Sequence, residues 1–326
     1  MQIVDVYEDF QEALGQVEDR LDALLIAESP LLDEAARHLL YAGGKRLRPL
    51  VVLISGRFGA VGPKVEAELV RLAAAIELIH MATLVHDDVV DQAELRRGQK
   101  TVRARWNDQV AVYTGDYLFA RALSELGAFS DVVLHRVLAR AMHEMSRGEI
   151  AQQADLYRPD VSFRRYFRRI RRKTALLMEI SAYLGARVAG APEGVQERLR
   201  RYAFYSGMAF QVTDDLLDFT GTPEELGKPS GSDLSQGHVT LPTIFALRCA
   251  PEATRQTLIE ALLRRETERR MPELIRLIAD SGAFDRTRKV AERYVARAKA
   301  ALFGLSDFEA TRYLEALVSF IEKRKF

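Results

Sequence analysis

Two aspartate-rich pentads carry the residue types in this chain that are best suited to chemistry. The first reads DDVVD over residues 87–91 and the second DDLLD over residues 214–218, so each has carboxylates at its first, second and fifth positions. At helical spacing the first and fifth side chains lie on one face, a few ångströms apart. A lone pentad is typical of a solvated helix face, but both follow largely apolar segments, where crowded carboxylates cost stability unless a cation lies against them. The repeated cluster predicts two facing walls of one cation-filled cavity.

The ligand type indicates which cation this is. The six carboxylates belong to Asp87, Asp88, Asp91, Asp214, Asp215 and Asp218. Hard oxygen ligands favour Mg²⁺, or Mn²⁺ in its place, and magnesium commonly bridges one or two carboxylates to a substrate phosphate. His80 and His86 flank the first pentad and raise the alternative of zinc, but no third nitrogen or sulfur ligand falls at helical spacing beside them. The pattern predicts a magnesium–diphosphate site.

Several basic clusters supply groups that grip phosphate. Gly43 and Gly44 precede a KRLRP segment, in which arginine offers bidentate contacts and lysine a point charge. A second basic cluster follows the first pentad at residues 96–98. Lys173 and Thr174 open an apolar segment, which predicts an anion site at a helix N-terminus. For the first of these clusters the alternative is a solvated loop before a helix.

Composition and charge bound the class of protein. The chain has 326 residues, a formal net charge of +1 and one cysteine, Cys249. Near-neutral charge gives no support to nucleic-acid binding, and a single cysteine fits a reducing compartment. The first residues lack the basic and apolar regions of a signal peptide, and no uncharged apolar run is long enough to span a membrane. We expect a soluble, cytoplasmic protein.

Helical periodicity runs through most of the chain. Apolar residues at helical spacing recur, for example over residues 69–79 and 194–218, and strand-like alternation is nearly absent. We therefore expect an all-α fold with one domain over residues 1–326, a bundle of roughly ten or more mostly antiparallel helices around a central cavity. The one Gly/Pro-rich stretch, residues 221–242, follows the second pentad and is a candidate lid. In the arginine-rich segment 163–172, we expect Phe163, Phe167 and Ile170 to face the core.

The arginines of that segment have a plainer interpretation than nucleic-acid binding. Most of them fall on the helical face opposite the apolar residues, so a solvated face is expected. The residues concerned are Arg164, Arg165, Arg168 and Arg169.

The motifs, in order, resemble those of the trans-polyprenyl diphosphate synthases. These are GGKRLRP at residues 43–49, DDVVD followed by RRG at 96–98, KT at 173–174, FQVTDDLLD at 210–218 and GK at 227–228. The resemblance extends from about residue 30 to the last residue. More narrowly, MATLVHDDVVD and TDDLLDFTGTPEELGKPSGSDL are similar to the catalytic components of bacterial heptaprenyl diphosphate synthases. The resemblance implies the isoprenoid synthase fold.

The resemblance also implies roles for individual residues. Isopentenyl diphosphate would be held by Lys45, Arg48, His80 and Arg97, and the allylic diphosphate by Arg96, Lys173, Thr174, Gln211 and Lys228. Magnesium would bridge that diphosphate to Asp87, Asp91 and Asp214, with Asp88, Asp215 and Asp218 nearby. One departure is His238, where many relatives carry lysine. That leaves a permanent positive charge at this position in doubt.

The same resemblance indicates the reaction, the partners and the alternatives. We expect a prenyltransferase that adds isopentenyl units to farnesyl diphosphate, with peripheral membrane contact at most. The alternatives are a shorter-chain synthase, a terpene cyclase and a non-catalytic subunit, although the second pentad, the GGK element and all six carboxylates favour the synthase. Apolar residues on more than one face of residues 113–126 predict a homodimer or a heterodimer with a small non-catalytic subunit.

Product length is expected to depend on the residues before the first pentad. A growing chain would pass Thr83, Ala82 and Ile79, with Phe119 on a neighbouring helix as a candidate floor. Short-chain relatives typically place a large aromatic ring at the position of Ala82. Alanine therefore predicts a long product of about C35, although a buried alanine also serves simply to let helices pack closely.

Overall fold

The structure confirms the all-α prediction. A computed structural model describes residues 1–27, 29–96, 98–222 and 229–323, and helices account for most of the ordered elements in these ranges. A short antiparallel hairpin pairs β1 (Leu95–Arg96) with β2 (Gln99–Lys100). The helices that the structure describes are α1 (Ile3–Asp9), α2 (Gln11–Leu24), α3 (Pro30–Tyr41), α4 (Leu47–Gly56), α5 (Pro63–Val90), α6 (Val102–Arg105), α7 (Asp108–Leu126), α8 (Val132–Ala154), α9 (Phe163–Ile170), a π-helical turn (Arg171–Ala175), α10 (Leu176–Val188), α11 (Glu193–Thr220), α12 (Ser232–Ser235), α13 (Leu241–Cys249), α14 (Glu252–Leu263), α15 (Met271–Asp280), α16 (Ala283–Ala301) and α17 (Thr311–Lys323).

The described residues form two compact units. The first contains the described residues within 1–138, 180–200 and 305–316, and the second contains those within 139–179, 201–304 and 317–323. Four of the five boundaries between these ranges fall inside a helix, in α8, α10, α11 and α17. The expectation of a single domain stays a prediction.

The helix that carries the first pentad, α5, lies in the core of the first unit. Pro63 fits the first helical position because its missing N–H has no intrahelical partner there, and the helix then runs for 28 residues. The predicted apolar face is buried from Leu69 to Ile79. Its close contact with α4 depends on Gly56, where an added Cβ would lie 2.3 Å from Leu69 Cδ1. The first pentad therefore ends a rigid, buried helix.

Among the described residues, α5 is also the one helix long and apolar enough to cross a membrane. Its most apolar window has a mean hydropathy of 1.5, and 67% of that window is buried within the protein. Burial of this kind fits a core helix.

The helix that carries the second pentad, α11, is also 28 residues long. In the second unit its residues Met208, Val212 and Phe219 join a buried apolar cluster with Tyr166 and Ile170. Packing of α11 against this cluster therefore holds the second pentad in position.

Candidate active site

The first pentad lies at the C-terminal end of α5. Asp87 and Asp88 are in the last turn, and Asp91 follows the helix with its N–H donated to the Asp87 carbonyl at 2.8 Å. Carboxylates are disfavoured at a helix C-terminus because the helix dipole is negative there, and the last turn of α5 contains no basic residue. Cations from outside the helix are therefore needed to stabilise this cluster.

One of these cations belongs to the protein. Arg96 in β1 donates to Asp88 from Nε at 2.9 and 3.1 Å and from Nη2 at 2.6 Å. The Asp88 side chain is 2% exposed, and this burial raises its pKa even though Arg96 acts to lower it. The Asp87 and Asp91 side chains are only half-buried. The first pentad is thus divided into an inner carboxylate that pairs with arginine and two outer, half-buried ones at the end of the helix.

The turn after α5 brings Arg96 back toward Asp88. The Ala93 N–H donates to the Asp88 carbonyl at 2.9 Å, and the Thr101 hydroxyl donates to the Ala93 carbonyl at 2.7 Å. Thr101 also caps α6 by accepting the Ala104 N–H at 3.1 Å. These bonds fix the hairpin close to the pentad.

His86 faces α7 and lies against its backbone. Its Nε2 is 3.2 Å from the Val112 carbonyl oxygen, and a Cβ added at Gly115 would lie 2.2 Å from that Nε2. Within the described residues, no group of three or more His, Cys, Asp or Glu side chains is placed to hold a metal by itself. The zinc alternative therefore gains no support from His86.

In the second pentad, Asp215 is the inner carboxylate. The Tyr166 hydroxyl donates to its Oδ2 at 2.6 Å, and Gln211 Nε2 donates to its Oδ1 at 2.7 Å. Burial raises the pKa of Asp215 to about 7, because these two donors offset only part of the cost of desolvation. Asp214, by contrast, is exposed. The second pentad therefore also combines a buried carboxylate with an exposed one, and neutral donors take the place of arginine.

Asp218 fastens the segment that follows α11. Its carbonyl accepts the Gly231 N–H at 2.7 Å, and its Oδ2 accepts the Asp233 N–H at 3.1 Å. Gly231 has a φ of 76°, a conformation that glycine adopts without strain. Asp218 is 2% exposed, so its described contacts serve to anchor this loop.

Lys173 and Thr174 do not begin a helix, and the prediction that they do is wrong. They lie within the π-helical turn, which has right-handed helical backbone at Ile170 before it and at Leu176 after it. The helical backbone therefore continues through this segment, so no free N-terminal N–H groups are available for an anion. Their side chains are nevertheless held in place, since Lys173 Nζ donates to Glu149 at 2.9 Å and the Thr174 hydroxyl donates to Gln211 Oε1 at 2.5 Å.

The three basic residues of segment 45–48 differ in their surroundings. Arg46 adopts a left-handed backbone and turns inward, donating to Glu77 at 3.2 Å and to the Leu40 carbonyl at 3.0 Å. Lys45 is exposed and Arg48 half-buried. Two cations of this segment therefore have side chains with surface available to a substrate, as does half-buried His80 on α5.

Arg97 and Lys228 lie outside the described residues. His238 is half-buried, and its N–H donates to the Asp233 carbonyl at 2.9 Å. The candidate lid is described only in part, over residues 221–222 and 229–242.

The residues proposed to set product length are mostly buried. Ala82 is 0% and Ile79 1% exposed, whereas Thr83 and Phe119 are half-buried. The Thr83 hydroxyl donates to the His80 carbonyl at 2.7 Å, and the Phe119 ring lies 5.7 Å from that of His86. Complete burial of Ala82 suits close helix packing, and its role in product length stays a prediction.

In the arginine-rich helix Arg164, Arg165 and Arg168 are exposed, as expected of a solvated face, but Arg169 is buried. Arg169 is 5% exposed and donates to the Val239 carbonyl at 2.8 Å, and Arg165 pairs with the buried carboxylate of Asp155. Helical periodicity placed Arg169 opposite the apolar face but could not show that the 237–239 loop covers it. The sequence analysis also did not identify Tyr166 as a site residue. Nothing in the sequence around this tyrosine indicates that its hydroxyl contacts the carboxylate of Asp215.

Comparison with known proteins gives full-length matches. The profile of a family described as Polyprenyl synthetase matches residues 29–278. The chain is 46% identical to heptaprenyl diphosphate synthase component 2 of Geobacillus stearothermophilus, with 100% of both chains covered. It is 41% identical to the protein of the same name from Bacillus subtilis (strain 168), with 98% of this chain and 90% of that one covered.

Two solved structures are similar along nearly their whole length. The crystal structure of heptaprenyl diphosphate synthase from Staphylococcus aureus has a TM-score of 0.91 at 36% identity, covering 97% of this chain and 99% of that one. That of polyprenyl synthase from Caulobacter crescentus CB15, complexed with calcium and isoprenyl diphosphate, has a TM-score of 0.92 at 34% identity, covering 100% and 98%.

Proposed function

The chain belongs to the polyprenyl synthetase family, and we propose that it adds isopentenyl diphosphate units to farnesyl diphosphate to give a product of about C35. It is a long-chain trans-polyprenyl diphosphate synthase with the isoprenoid synthase fold. The observation that carries the proposal is the division of each pentad. In each pentad a carboxylate is held inside the protein, by Arg96 or by Tyr166 with Gln211, while at least one other keeps exposed surface at the end of a long helix.

Magnesium fits the outer carboxylates. Asp87, Asp91 and Asp214 offer hard oxygen donors with exposed surface, and magnesium binds through one or two carboxylates together with water and substrate phosphate. The lack of a three-residue cluster among the described side chains is therefore compatible with a metal that arrives with its substrate. We propose these three as ligands and Mn²⁺ as a substitute. In this proposal Asp88 positions Arg96, and Asp218 positions the loop after α11.

The basic residues divide between two diphosphates in the proposal. Isopentenyl diphosphate is bound by Lys45, Arg48, His80 and Arg97, and the allylic diphosphate by Arg96, Lys173, Thr174, Gln211 and Lys228. The exposure of Lys45 supports the first assignment, and the hydrogen bond between Thr174 and Gln211 supports the second. Arg96 forms an ion pair with Asp88 in the structure. We therefore propose two roles for Arg96, one in stabilising the first pentad and one in binding the diphosphate.

The chemistry is ionisation followed by addition. Asp87, Asp91 and Asp214 would hold magnesium against the diphosphate, where the metal would neutralise the negative charge that develops as the C–O bond to the allylic carbon breaks. Lys173 and Thr174 hold the departing diphosphate and stabilise the charge that develops on it. Closure of the segment fastened by Asp218 excludes water, so that the allylic cation meets the isopentenyl double bond first. The proton lost from the new chain passes to the released pyrophosphate.

A second polypeptide completes the enzyme in this proposal. Helix α7 exposes apolar side chains at Val112, Tyr113 and Leu123, with exposed fractions of 38%, 58% and 55%. Two relatives that match nearly all of this chain are called component 2, which favours a separate small subunit over a second copy of this chain. We place the protein in the cytoplasm, with peripheral membrane contact at most.

Product analysis tests the proposal. The chain is incubated with radiolabelled isopentenyl diphosphate, farnesyl diphosphate and Mg²⁺, alone and with the small subunit co-purified from the native host. We expect a trans-polyprenyl diphosphate of about C35. A product of four isoprene units would indicate a shorter-chain synthase, and a cyclic hydrocarbon a terpene cyclase. No turnover in either arm would indicate a non-catalytic subunit.

A further inference from the structure

The helix that carries Lys173 and Thr174 contains a wide turn at these residues. The π-helical turn spans Arg171–Ala175 between α9 and α10. A π turn contains one residue more than an α turn, so the side chains beyond it are rotated by about 100° relative to an unbroken α-helix. Such turns are rare and frequently lie at functional sites. Here the turn determines the directions of Lys173 and Thr174.

Glycines on two neighbouring helices make room for this turn. A Cβ added at Gly148 in α8 would lie 2.9 Å from the Arg172 Cβ. A Cβ added at Gly207 in α11 would lie 2.7 Å from the Ala175 Cα and 3.1 Å from its Cβ. Real Cβ atoms do not make contacts this short, and the Ala175 Cα belongs to the backbone, which cannot rotate away. With any other residue at Gly207, the wide turn and α11 must move apart.

The contacts that hold the two side chains come from these same helices. Lys173 pairs with Glu149, which follows Gly148 directly, at 2.9 Å. Thr174 donates to Gln211, which lies one helical turn after Gly207, and Gln211 in turn donates to Asp215. Each glycine therefore sets the distance between the turn and the helix that supplies the partner of Lys173 or Thr174.

We propose that Gly148 and Gly207 are positioning residues for the binding of the allylic diphosphate. They admit the wide turn, and the turn directs Lys173 and Thr174 together toward one substrate. This inference rests on the proposed role of that pair in holding the allylic diphosphate.

The test uses Gly207→Ala and Gly148→Ala, with Gly194→Ala as the control. Gly194 is on the same helix as Gly207, and an added Cβ there meets no atom within 4 Å. Affinity is measured by calorimetry with an unreactive farnesyl diphosphate analogue that carries sulfur at the bridging position, in the presence of Mg²⁺, and KM is measured for both substrates. Lys173→Ala is measured in parallel.

We expect each of the first two variants to bind the analogue at least about tenfold more weakly, with the KM for isopentenyl diphosphate unchanged within about twofold. The control variant, Gly194→Ala, should have an unchanged affinity for the analogue and an unchanged KM for isopentenyl diphosphate. Equal losses for both substrates, or unchanged affinity in the folded variants, would overturn the inference. Should Gly207→Ala not fold, Gly148→Ala decides, because its shortest contact, 2.9 Å to the Arg172 Cβ, is longer than the 2.7 Å contact at Gly207.

The parallel variant separates this inference from the function on which it rests. If Lys173→Ala weakens the analogue and neither glycine variant does, the proposed function stands and the positioning role is refuted. If Lys173→Ala binds the analogue normally, the assignment of Lys173 to the allylic diphosphate fails, and the positioning role fails with it.

Discussion

Replacing Arg96 by methionine tests how the protein tolerates the crowded first pentad. Methionine has about the length of the arginine side chain but leaves the carboxylate of Asp88, which is 2% exposed, without its three hydrogen bonds. Removing one partner of a buried ion pair costs about 3–5 kcal/mol. Because the Arg96 side chain is itself 30% exposed, we expect the lower end, a loss of about 3 kcal/mol in the free energy of unfolding.

A double-mutant cycle isolates this interaction from other effects of the substitutions. Asp88→Asn leaves Arg96 able to reach solvent, so we expect a loss of about 1 kcal/mol. The double variant has no buried charge, and its expected loss of about 2 kcal/mol falls short of the sum of the single losses by about 2 kcal/mol. Urea unfolding is followed by the fluorescence of Trp106, the only tryptophan of the chain, which lies in the same unit as the ion pair.

The pH dependence of the stability deficit of Arg96→Met tests independently whether Arg96 stabilises the ionised form of Asp88. Burial already raises the pKa of Asp88, so its ionisation lowers stability as pH rises through that pKa. Without Arg96 the pKa of Asp88 rises further, and the stability deficit of Arg96→Met should shrink as the pH is lowered and the carboxyl is protonated. Additive losses in the cycle, or a deficit that grows in acid, would refute the view that Arg96 neutralises Asp88.

Three further predictions concern the site. Asp87→Ala and Asp214→Ala should lower turnover by several orders of magnitude while circular dichroism shows an intact fold, and near-normal turnover in either would remove that residue from the metal site. Tyr166→Phe should lower the free energy of unfolding in metal-free buffer by about 2 kcal/mol above pH 7, because a donor to a buried carboxylate is lost. That deficit should fall in acid as Asp215, whose pKa is about 7, becomes protonated, and equal stability of the two proteins at high pH would contradict the assignment. Ala82→Phe should shorten the product to about C15–C20, as measured by chromatography, and an unchanged length distribution would show that the growing chain does not pass this residue.

Much of the fold could be predicted because it depends on local periodicity. The apolar face of α5 follows from the spacing of Leu69, Leu72 and Ile76, all of which are buried. The two pentads were identifiable from residue type and spacing alone. What the sequence could not show is which carboxylate of each pentad turns inward, since this depends on Arg96 in a hairpin and on Tyr166 on a separate helix.

The remaining differences have tertiary causes. Arg169 follows the period of a solvated face, yet the loop at Val239 covers it and accepts its hydrogen bond. The π turn at Lys173 is invisible to helical periodicity, because a single wide turn changes the register of the helix without interrupting it. In both cases the decisive atoms belong to elements distant in sequence.

The most direct test of the account is a crystal structure with Mn²⁺ and the unreactive farnesyl diphosphate analogue described above. Anomalous scattering locates manganese without reference to the protein density. We expect manganese on the carboxylates of Asp87, Asp91 and Asp214, with the diphosphate as a further ligand, while Asp88 stays paired with Arg96 and Asp215 with Tyr166. Manganese coordinated by Asp88 or Asp215, or an analogue bound with no metal at either pentad, would contradict the account.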